Sequence, residues 1–412
     1  NAFLGYQSGY KNSTGISNLF IGHQSGYSSQ SGNYNSFVGY KSGYSNTSGV
    51  NNSFLGSFAG FSNTIGKYNT FIGDSAGYKN TSGNENSFYG DKAGFTNLDG
   101  VNNVFIGNQA GYKNTTGDSS IFIGNRSGFS NTSGRTNVFI GNRAGYTNST
   151  GISNVFIGYH AGYSNSSGAF NVFIGYRSGY NSYSSYNTFL GYHSGYKINN
   201  GSYNVLLGYL AGYNCVDGNR NVFIGASAGY NESGSDKLYI DNSSTATPLI
   251  WGEFLTNRIG INRRATTNTL EVEGNASKTV AGSWLANSDR RSKKEISEIQ
   301  DACATIMRLH PVKFKYTDEW RSLHPSVENK LYYNFIAQEY REVFPESVQG
   351  SGDMVKGQID ELLQMDSYNS QIVALKALQE LIRQNDDQQQ QIESTKQENL
   401  QLKSELQLLK GE

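Results

Sequence analysis

Residues 103–112 read Asn-Val-Phe-Ile-Gly-Asn-Gln-Ala-Gly-Tyr, and close copies of this decapeptide recur through the first 234 residues of the 412-residue chain. The copies begin every seventeen residues, with a single interval of sixteen between Asn171 and Asn187. A fixed period of this length predicts a solenoid in which each copy forms one coil and stacks on its neighbours. The fourteen copies begin at Asn1, Asn18, Asn35, Asn52, Asn69, Asn86, Asn103, Ser120, Asn137, Asn154, Asn171, Asn187, Asn204 and Asn221.

The three residues after the leading Asn have the composition of a short strand. Val104-Phe105-Ile106 is β-branched and aromatic, as strands prefer. Neighbouring strand side chains point to opposite faces, yet the positions of Phe105 and Ile106 are apolar in nearly every copy. A strand that is apolar on both sides is buried on both sides. Since the coil interior covers one face only, the pattern predicts a mainly β rod in which several parallel β-solenoids pack about a common axis.

The other fixed positions predict turns and ladders. Gly107 and Gly111 recur in every copy, which indicates positive φ or a close approach of two backbones. The tenth position is always Tyr or Phe and predicts an aromatic ladder, while the leading Asn predicts a ladder of stacked amides. The Asn/Ser/Thr/Gly tract between copies is typical of turns. Position seven varies widely, as on a solvent face, so His160 and His193 are interpreted as exposed or hydrogen-bonded rather than metal-binding.

Composition and charge narrow the function classes. The chain has 33 basic and 33 acidic residues, and this balance gives no indication of nucleic-acid binding. Cys215 and Cys303 lie in different regions and predict neither a disulfide framework nor a metal site, and no cofactor is expected. No apolar run approaches the ~18 residues of a membrane span, so membrane insertion is not expected. Because the chain begins at Asn1, in phase with the repeat and without Met or a signal sequence, we expect it to be the C-terminal part of a longer protein.

Three regions follow from these patterns. Residues 1–234 are predicted to form the solenoid rod. Residues 235–287 contain alternating strand-like segments and are interpreted as a β-rich neck that caps the rod. Residues 288–412 have an ordinary charged composition and are predicted to form a separate α+β module that ends in a coiled coil.

The joint between the neck and this module contains two residue types used in hydrolysis. Residues 287–294 read Asn-Ser-Asp-Arg-Arg-Ser-Lys-Lys, so that Ser288 precedes Lys293 by five residues. A neutral, desolvated lysine can act as the base that activates a serine hydroxyl. The same stretch also fits an N-capping serine followed by the basic start of a helix, and the spacing by itself leaves both interpretations open.

Residues 371–410 have the heptad pattern of a coiled coil. Asn385 and Asn399 occupy a positions, where a polar layer lowers stability but fixes register and oligomeric state. A solvated amphipathic helix is the alternative, and the partners that the rod requires favour a three-stranded coiled coil. The apolar a and d positions are Leu378, Leu381, Ile392, Leu402, Leu406 and Leu409.

Two resemblances add to these inferences. The repeats are similar to the heads of trimeric autotransporter adhesins, whose short Asn-x-Val-x-Ile-Gly-type repeats form parallel β-rolls in a trimer. In the module, Ser-Asp-Arg-Arg-Ser-Lys at 288–293 is followed by Leu-His-Pro-Val-Lys-Phe-Lys-Tyr at 309–316. Phe-Ile-Ala-Gln-Glu at 335–339 and Val-Phe-Pro-Glu at 343–346 come next. These motifs, in this order and before a terminal helix, resemble the intramolecular chaperone domain of endosialidases, phage tail spikes and L-shaped tail fibres.

The second resemblance implies a module that trimerises the upstream β-structure and then cuts itself away with a Ser-Lys dyad. By position, Ser288 is the nucleophile, Lys293 the base and Asn287–Ser288 the scissile bond. Ser292 stands where the family usually has Leu, a departure that predicts looser local packing and slower or abolished cleavage. The implied enzyme acts once on its own chain, and no turnover on other substrates is expected.

Together these observations predict a homotrimeric fibre of the phage tail-fibre or tail-spike type. Its partner is expected to be a glycan or an outer-surface protein at the host surface, and its location the virion tail or the outside of a cell. One alternative is a bacterial surface or secreted adhesive fibre with the same maturation domain. Another is a membrane-tethered transcription factor, a class that predicts an upstream basic DNA-binding domain.

Overall fold

The computed structural model describes residues 1–274, 290–324, 327–354 and 360–411. These residues form two compact units. The first unit contains residues 1–265 and 269–271, and the second contains residues 266–268 and the described part of 272–412.

The first unit is a parallel β-solenoid with one three-residue strand in each coil. Each strand pairs in register with the strand of the next coil, so that Phe105 lies opposite Phe122. At the single short coil Val172 still pairs with Thr188, and the turn absorbs the missing residue. The predicted mainly β solenoid of seventeen-residue coils is therefore confirmed. The strands are β1 (Ala2–Leu4), β2 (Leu19–Ile21), β3 (Ser36–Val38), β4 (Ser53–Leu55), β5 (Thr70–Ile72), β6 (Ser87–Tyr89), β7 (Val104–Ile106), β8 (Ile121–Ile123), β9 (Val138–Ile140), β10 (Val155–Ile157), β11 (Val172–Ile174), β12 (Thr188–Leu190), β13 (Val205–Leu207) and β14 (Val222–Ile224).

A column of phenylalanine rings fills the solenoid interior. The central strand residue is Phe in every coil except at Leu206, and this side chain is buried from the second coil onwards. The rings of Phe88, Phe105 and Phe122 stack with centroids 4.8 and 4.7 Å apart and interplanar angles of 4°. The strand spacing of a sheet thus sets a stacking distance that aromatic rings favour.

The flanking strand positions point outwards. Ile106 is 38 % exposed although the strand is apolar on both sides. One chain therefore covers the inner face only, as the sequence predicts. That further solenoids pack against the outer apolar face and cover it stays a prediction.

Both glycines of the repeat occupy positions that a side chain would disrupt. Gly107 has φ +132°, and a Cβ there would lie 2.6 Å from the carbonyl oxygen of Gly124 in the next coil. Gly111 has φ +59°, and a Cβ there would lie 2.5 Å from the Phe105 ring. The predicted positive φ and close approach are confirmed. Non-glycine residues also adopt positive φ in each coil, as at Gln109 with φ 58°.

Two buried amide ladders run along the solenoid. In the first, the side chain of the leading Asn103 donates to the Gly117 carbonyl at 2.8 Å, and its backbone N–H donates to Asn86 Oδ1 at 3.0 Å. This ladder confirms the prediction for the leading Asn. The second ladder lies at position twelve, in the tract that the sequence marks only as turn material. There Asn114 Nδ2 donates to Asn97 Oδ1 at 2.7 Å, and both side chains are buried.

We expect Asn114→Asp to lower the free energy of unfolding by about 1–3 kcal/mol or more, since it removes a buried donor and introduces a buried charge. A carboxylate oxygen would then face Asn97 Oδ1 across the 2.7 Å that the present hydrogen bond spans. Guanidinium denaturation followed by circular dichroism measures the effect. Asn125→Asp, which makes the same change at an exposed amide, is the matched control and should change stability little. Equal effects of the two variants would show that the second ladder contributes no stability.

Position seven does not form the solvent face that its variability suggested. His160 is 6 % exposed, its ring lies 4.0 Å from the Tyr159 ring, and neither ring nitrogen has a hydrogen-bond partner. The interpretation of His160 as exposed or hydrogen-bonded is therefore wrong. Burial and the nearby charges of Arg143 and Arg177 lower the pKa of His160 to about 4, so the ring is neutral at pH 7. The neighbouring tenth-position ladder is confirmed, with ring centroids 5.0 Å apart at Tyr163 and Tyr180.

The solenoid ends in antiparallel hairpins. Glu232 replaces Asn at position twelve of the last coil, accepts from the Tyr239 hydroxyl at 2.6 Å and lies 3.2 Å from an Arg264 nitrogen. The second amide ladder ends earlier, at Asn148, and position twelve of the three coils before Glu232 holds Ser182, Ile198 and Cys215. The strands are β15 (Lys237–Ile240), which pairs parallel with β14, and β16 (Ile250–Glu253) and β17 (Arg258–Ile261), which continue antiparallel, followed by β18 (Leu270–Val272).

The second unit combines short helices, two hairpin-like sheets and one long helix. Strands β19 and β20 pair antiparallel, as do β21 and β22. The elements are α1 (Ala302–Met307), β19 (Val312–Phe314), α2 (Asp318–Leu323), β20 (Tyr332–Asn334), α3 (Ala337–Arg341), β21 (Val348–Met354), β22 (Glu361–Met365) and α4 (Tyr368–Leu409), with 3₁₀ turns at Arg290–Ser292 and Pro345–Ser347.

The start of α4 organises this unit. Its Val373 and Ala377 are buried against Ala302, Tyr340 and Phe344. From Leu381 to Leu409, in contrast, every side chain of α4 is exposed in the single chain. Among the described residues no helix is both long enough and apolar enough to cross a membrane.

Candidate functional site

The structure describes one member of the predicted dyad. Asn287 and Ser288, and with them the predicted scissile bond, lie outside the described residues. Lys293 follows the 3₁₀ turn Arg290–Ser292, and its backbone N–H donates to the Arg290 carbonyl at 3.1 Å. Its side chain is exposed. The catalytic roles of Ser288 and Lys293 remain predictions.

The exposure of Lys293 bears on the chemistry that it could perform. A lysine must be neutral to accept a proton, and desolvation and neighbouring cations are the causes that favour the neutral form. Cations are present in the sequence on both sides, at Arg290, Arg291 and Lys294. Further protein packed against this turn would supply such desolvation.

The two later motifs that resembled the chaperone family are brought together in space. Strand β19 lies inside the 309–316 motif and pairs with β20, which directly precedes the 335–339 motif, so that Val312 lies opposite Asn334. His310 Nδ1 lies 3.2 Å from a carboxylate oxygen of Glu339 on α3. These two motifs therefore belong to one folded substructure.

Helix α1 fixes this substructure to α4. The backbone N–H of Cys303 donates to Glu380 Oε2 at 3.2 Å, and the Cys303 thiol donates to the Ala377 carbonyl at 3.4 Å. Burial and the Glu380 carboxylate raise the pKa of the Cys303 thiol, so it stays protonated at neutral pH. The sequence assigned no role to Cys303, because a single cysteine carries no pattern that predicts its contact with α4, 74 residues further along the chain.

An open apolar cleft of about 630 Å³ lies beside the base of α4. The sequence did not predict this cleft, since its walls come from elements up to about 70 residues apart. Its apolar lining residues are Ile306, Leu309, Pro311, Val312, Phe335 and Ala374.

The long arm of α4 presents the predicted heptad positions to solvent. Leu381 is 53 % and Leu402 56 % exposed. Asn385 is exposed, and Asn399 is exposed with its side-chain amide donating to the Thr395 carbonyl at 2.9 Å. The helix is therefore confirmed, while its association into a coiled coil stays a prediction. Among the described residues there is no group of three His, Cys, Asp or Glu side chains able to hold a metal ion.

Residues 288–349 match the family model described as chaperone of endosialidase. The match starts at Ser288 and spans α1, β19, α2, β20 and α3. The resemblance to this chaperone family is thereby confirmed for residues 288–349, which follow the β-solenoid in the chain.

Proposed function

We propose that this chain is a homotrimeric fibre protein of the phage tail-fibre or tail-spike type, which recognises a host surface. Its C-terminal module aligns three chains and then releases itself by cleavage between Asn287 and Ser288. The observation that carries the proposal is the chaperone match, which begins at Ser288 directly after the solenoid and the neck. The proposed location is the virion tail or the extracellular face, and the proposed partner is a glycan or protein of the host surface.

Chain alignment is the physical problem that such a module solves. The coils are nearly identical, so three chains displaced by one coil would form almost the same contacts as chains in register. Long-range parallel pairing is also intrinsically slow and prone to misassembly. The exposed heptad positions of α4, with Asn385 and Asn399 in a layers, supply a local device that sets register before the coils associate.

The proposed cleavage is an acyl transfer within one peptide unit. Lys293 accepts the proton of the Ser288 hydroxyl as its Oγ attacks the Asn287 carbonyl carbon. The Asn287–Ser288 C–N bond breaks, the α-amine of Ser288 takes up a proton, and an ester joins the Asn287 acyl group to Oγ. Water then hydrolyses the ester to give a C-terminal Asn287 carboxylate and a fragment that starts at Ser288. Because Lys293 is exposed in the single chain, assembly would supply the desolvation that the reaction needs and so delay cleavage until the trimer has formed.

Release of the module would leave a rod without its aligning device. Such a rod refolds poorly but unfolds slowly, which is kinetic stability. That property suits a fibre outside a cell. A bacterial surface or secreted adhesive fibre is the second candidate, favoured by the similarity of the repeats to adhesin heads.

Light scattering and intact-mass measurement on the purified chain test this proposal. We expect a trimer and two fragments that correspond to residues 1–287 and 288–412. A monomeric, full-length chain would contradict it.

The heptad prediction has a matched pair of variants. Leu402→Asp, at a d position, should abolish trimer formation because it places three like charges in one layer of the apolar seam. Leu400→Asp changes a leucine that is 67 % exposed and lies off the seam, so it should leave the trimer intact. Equal loss of trimer in both variants would exclude the proposed seam.

A further inference from the structure

The neutral balance of the whole chain conceals a local asymmetry in the solenoid. Residues 119–216 contain no Asp or Glu, whereas they contain five basic residues. These are Arg126, Arg135, Arg143, Arg177 and Lys197. Five consecutive coils, from residue 120 to residue 203, therefore form a positively charged section of the rod.

Three of the five charges of this section, Arg126, Arg143 and Arg177, lie on one stripe. Position seven of five consecutive coils holds Arg126, Arg143, His160, Arg177 and His193. With a strand spacing of about 4.8 Å, this row extends for about 19 Å along the solenoid. Within this row His160 is buried, and the half-buried Arg126, Arg143 and Arg177 supply the charges that an extended ligand could contact.

Aromatic columns border the row on both sides. The Arg177 guanidinium carbon lies 5.3 Å from the centroid of the Tyr176 ring at position six and 5.6 Å from that of Tyr180 at position ten. Tyr159 and Tyr176 stack at 5.1 Å, and Tyr176 and Tyr192 at 5.2 Å. The position-six rings are the outer border, since Tyr176 is 39 % and Tyr192 43 % exposed.

Polar atoms within the stripe lack protein partners. Both ring nitrogens of His160, Nε2 of His193 and Nε of Arg177 are buried and make no hydrogen bond. Buried polar groups normally find a partner. Because these atoms are buried, a ligand outside the chain does not reach them, and contact with the stripe depends on the half-buried arginines Arg126, Arg143 and Arg177.

We propose that this stripe binds a linear polysaccharide that carries carboxylate groups. Guanidinium groups pair with carboxylates through charge-assisted, often bidentate hydrogen bonds. The exposed edge of the stripe adds phenolic hydroxyls at Tyr159 and Tyr176 and amides at Asn125 and Asn142, groups that hydrogen-bond to sugar hydroxyls. The inference names the ligand chemistry of the recognition role proposed above and rests on that role for its biological meaning.

The ring geometry disfavours single-stranded nucleic acid as the ligand. Binding of bases to aromatic side chains requires exposed ring faces. Here the faces are covered by neighbouring rings, as for Tyr176 between Tyr159 and Tyr192. The stripe offers ring edges, hydroxyls and cations, and a carboxylated sugar chain fits these groups better.

Binding of the purified full chain to polygalacturonate, with dextran as the neutral probe, tests the proposal. We expect binding to polygalacturonate only, and weaker binding as salt is raised. Arg143→Gln/Arg177→Gln should weaken it by about tenfold or more, since each variant removes a charge-assisted hydrogen bond. The Arg143→Lys/Arg177→Lys variant keeps the charge and should retain part of the affinity.

Lys67→Gln/Arg135→Gln is the matched control, because both residues are exposed at position sixteen, away from the stripe. It should bind within about twofold of the parent, as expected for charges that do not contact the ligand. Circular dichroism of all variants confirms that the solenoid is intact.

The proposal would be overturned if the chain bound dextran as tightly as polygalacturonate, or if it did not bind polygalacturonate. It would also be overturned if Lys67→Gln/Arg135→Gln lost as much affinity as Arg143→Gln/Arg177→Gln. Tighter binding of a single-stranded oligonucleotide with the same arginine dependence would overturn it in favour of nucleic acid. Light scattering and intact mass on the same samples separate this inference from the proposed function. A processed trimer that fails to bind overturns the inference alone, whereas a monomeric, unprocessed chain that binds overturns the proposed function alone.

Discussion

Phe139→Ala is expected to lower the free energy of unfolding by about 3–5 kcal/mol, because it opens a cavity in a closely packed column. Phe139 is fully buried, and its ring lies 4.9 Å from Phe122 and 4.8 Å from Phe156. Its removal leaves two ring faces without a partner, and the regular coils on either side limit how far the backbone can move inwards. The midpoint of guanidinium unfolding and the amide hydrogen exchange of coils eight to ten measure the loss.

Phe170→Ala provides the comparison within the same section. Phe170 is 47 % exposed and stacks on Tyr186 at 5.2 Å, so its truncation should cost less than about 1 kcal/mol. If the two variants were equally stable, the inner phenylalanine column would not be the main source of solenoid stability.

Ser288→Ala and Lys293→Ala are each expected to leave the chain uncut, since loss of either member of a nucleophile–base pair slows such reactions by about 10⁴-fold or more. The parent should give a fragment that begins at Ser288, and both variants should remain full-length trimers. Intact mass spectrometry and denaturing gels of purified protein distinguish these outcomes. Retention of the trimer is part of the expectation, because the seam of α4 lies more than 70 residues beyond both positions in the chain.

Ser297→Ala and Lys330→Ala are the controls, because each replaces the same residue type at an exposed position outside residues 288–294. Both should cleave as the parent does. A parent chain that stays full length as a trimer would make the module a permanent cap, and the Ser-Lys dyad would have to be abandoned. Cleavage that persists in Ser288→Ala would move the nucleophile elsewhere.

The sequence by itself determined the repeat and most of its parts. The seventeen-residue period, the strand at Val104–Ile106 and the leading-Asn ladder follow from residue types that recur at fixed spacing. The two glycines were predictable for the same reason, because a residue needed for its backbone conformation recurs wherever that conformation recurs. The chaperone module was recognisable because its motifs occur in a fixed order, although the atoms of the proposed reaction at Asn287 and Ser288 lie outside the described residues.

Tertiary structure decided what depends on stacking between coils and on distant parts of the chain. Asn114 reads as turn material in one coil and becomes a buried ladder only when each amide meets the next at about 3 Å. His160 reads as a surface residue, yet the rings of Tyr159 and Tyr163 enclose it and hold its pKa low. The balance of charge over the whole chain does not reveal the stripe, because it averages over every coil. The stacking of coils decides which side chains lie in one row.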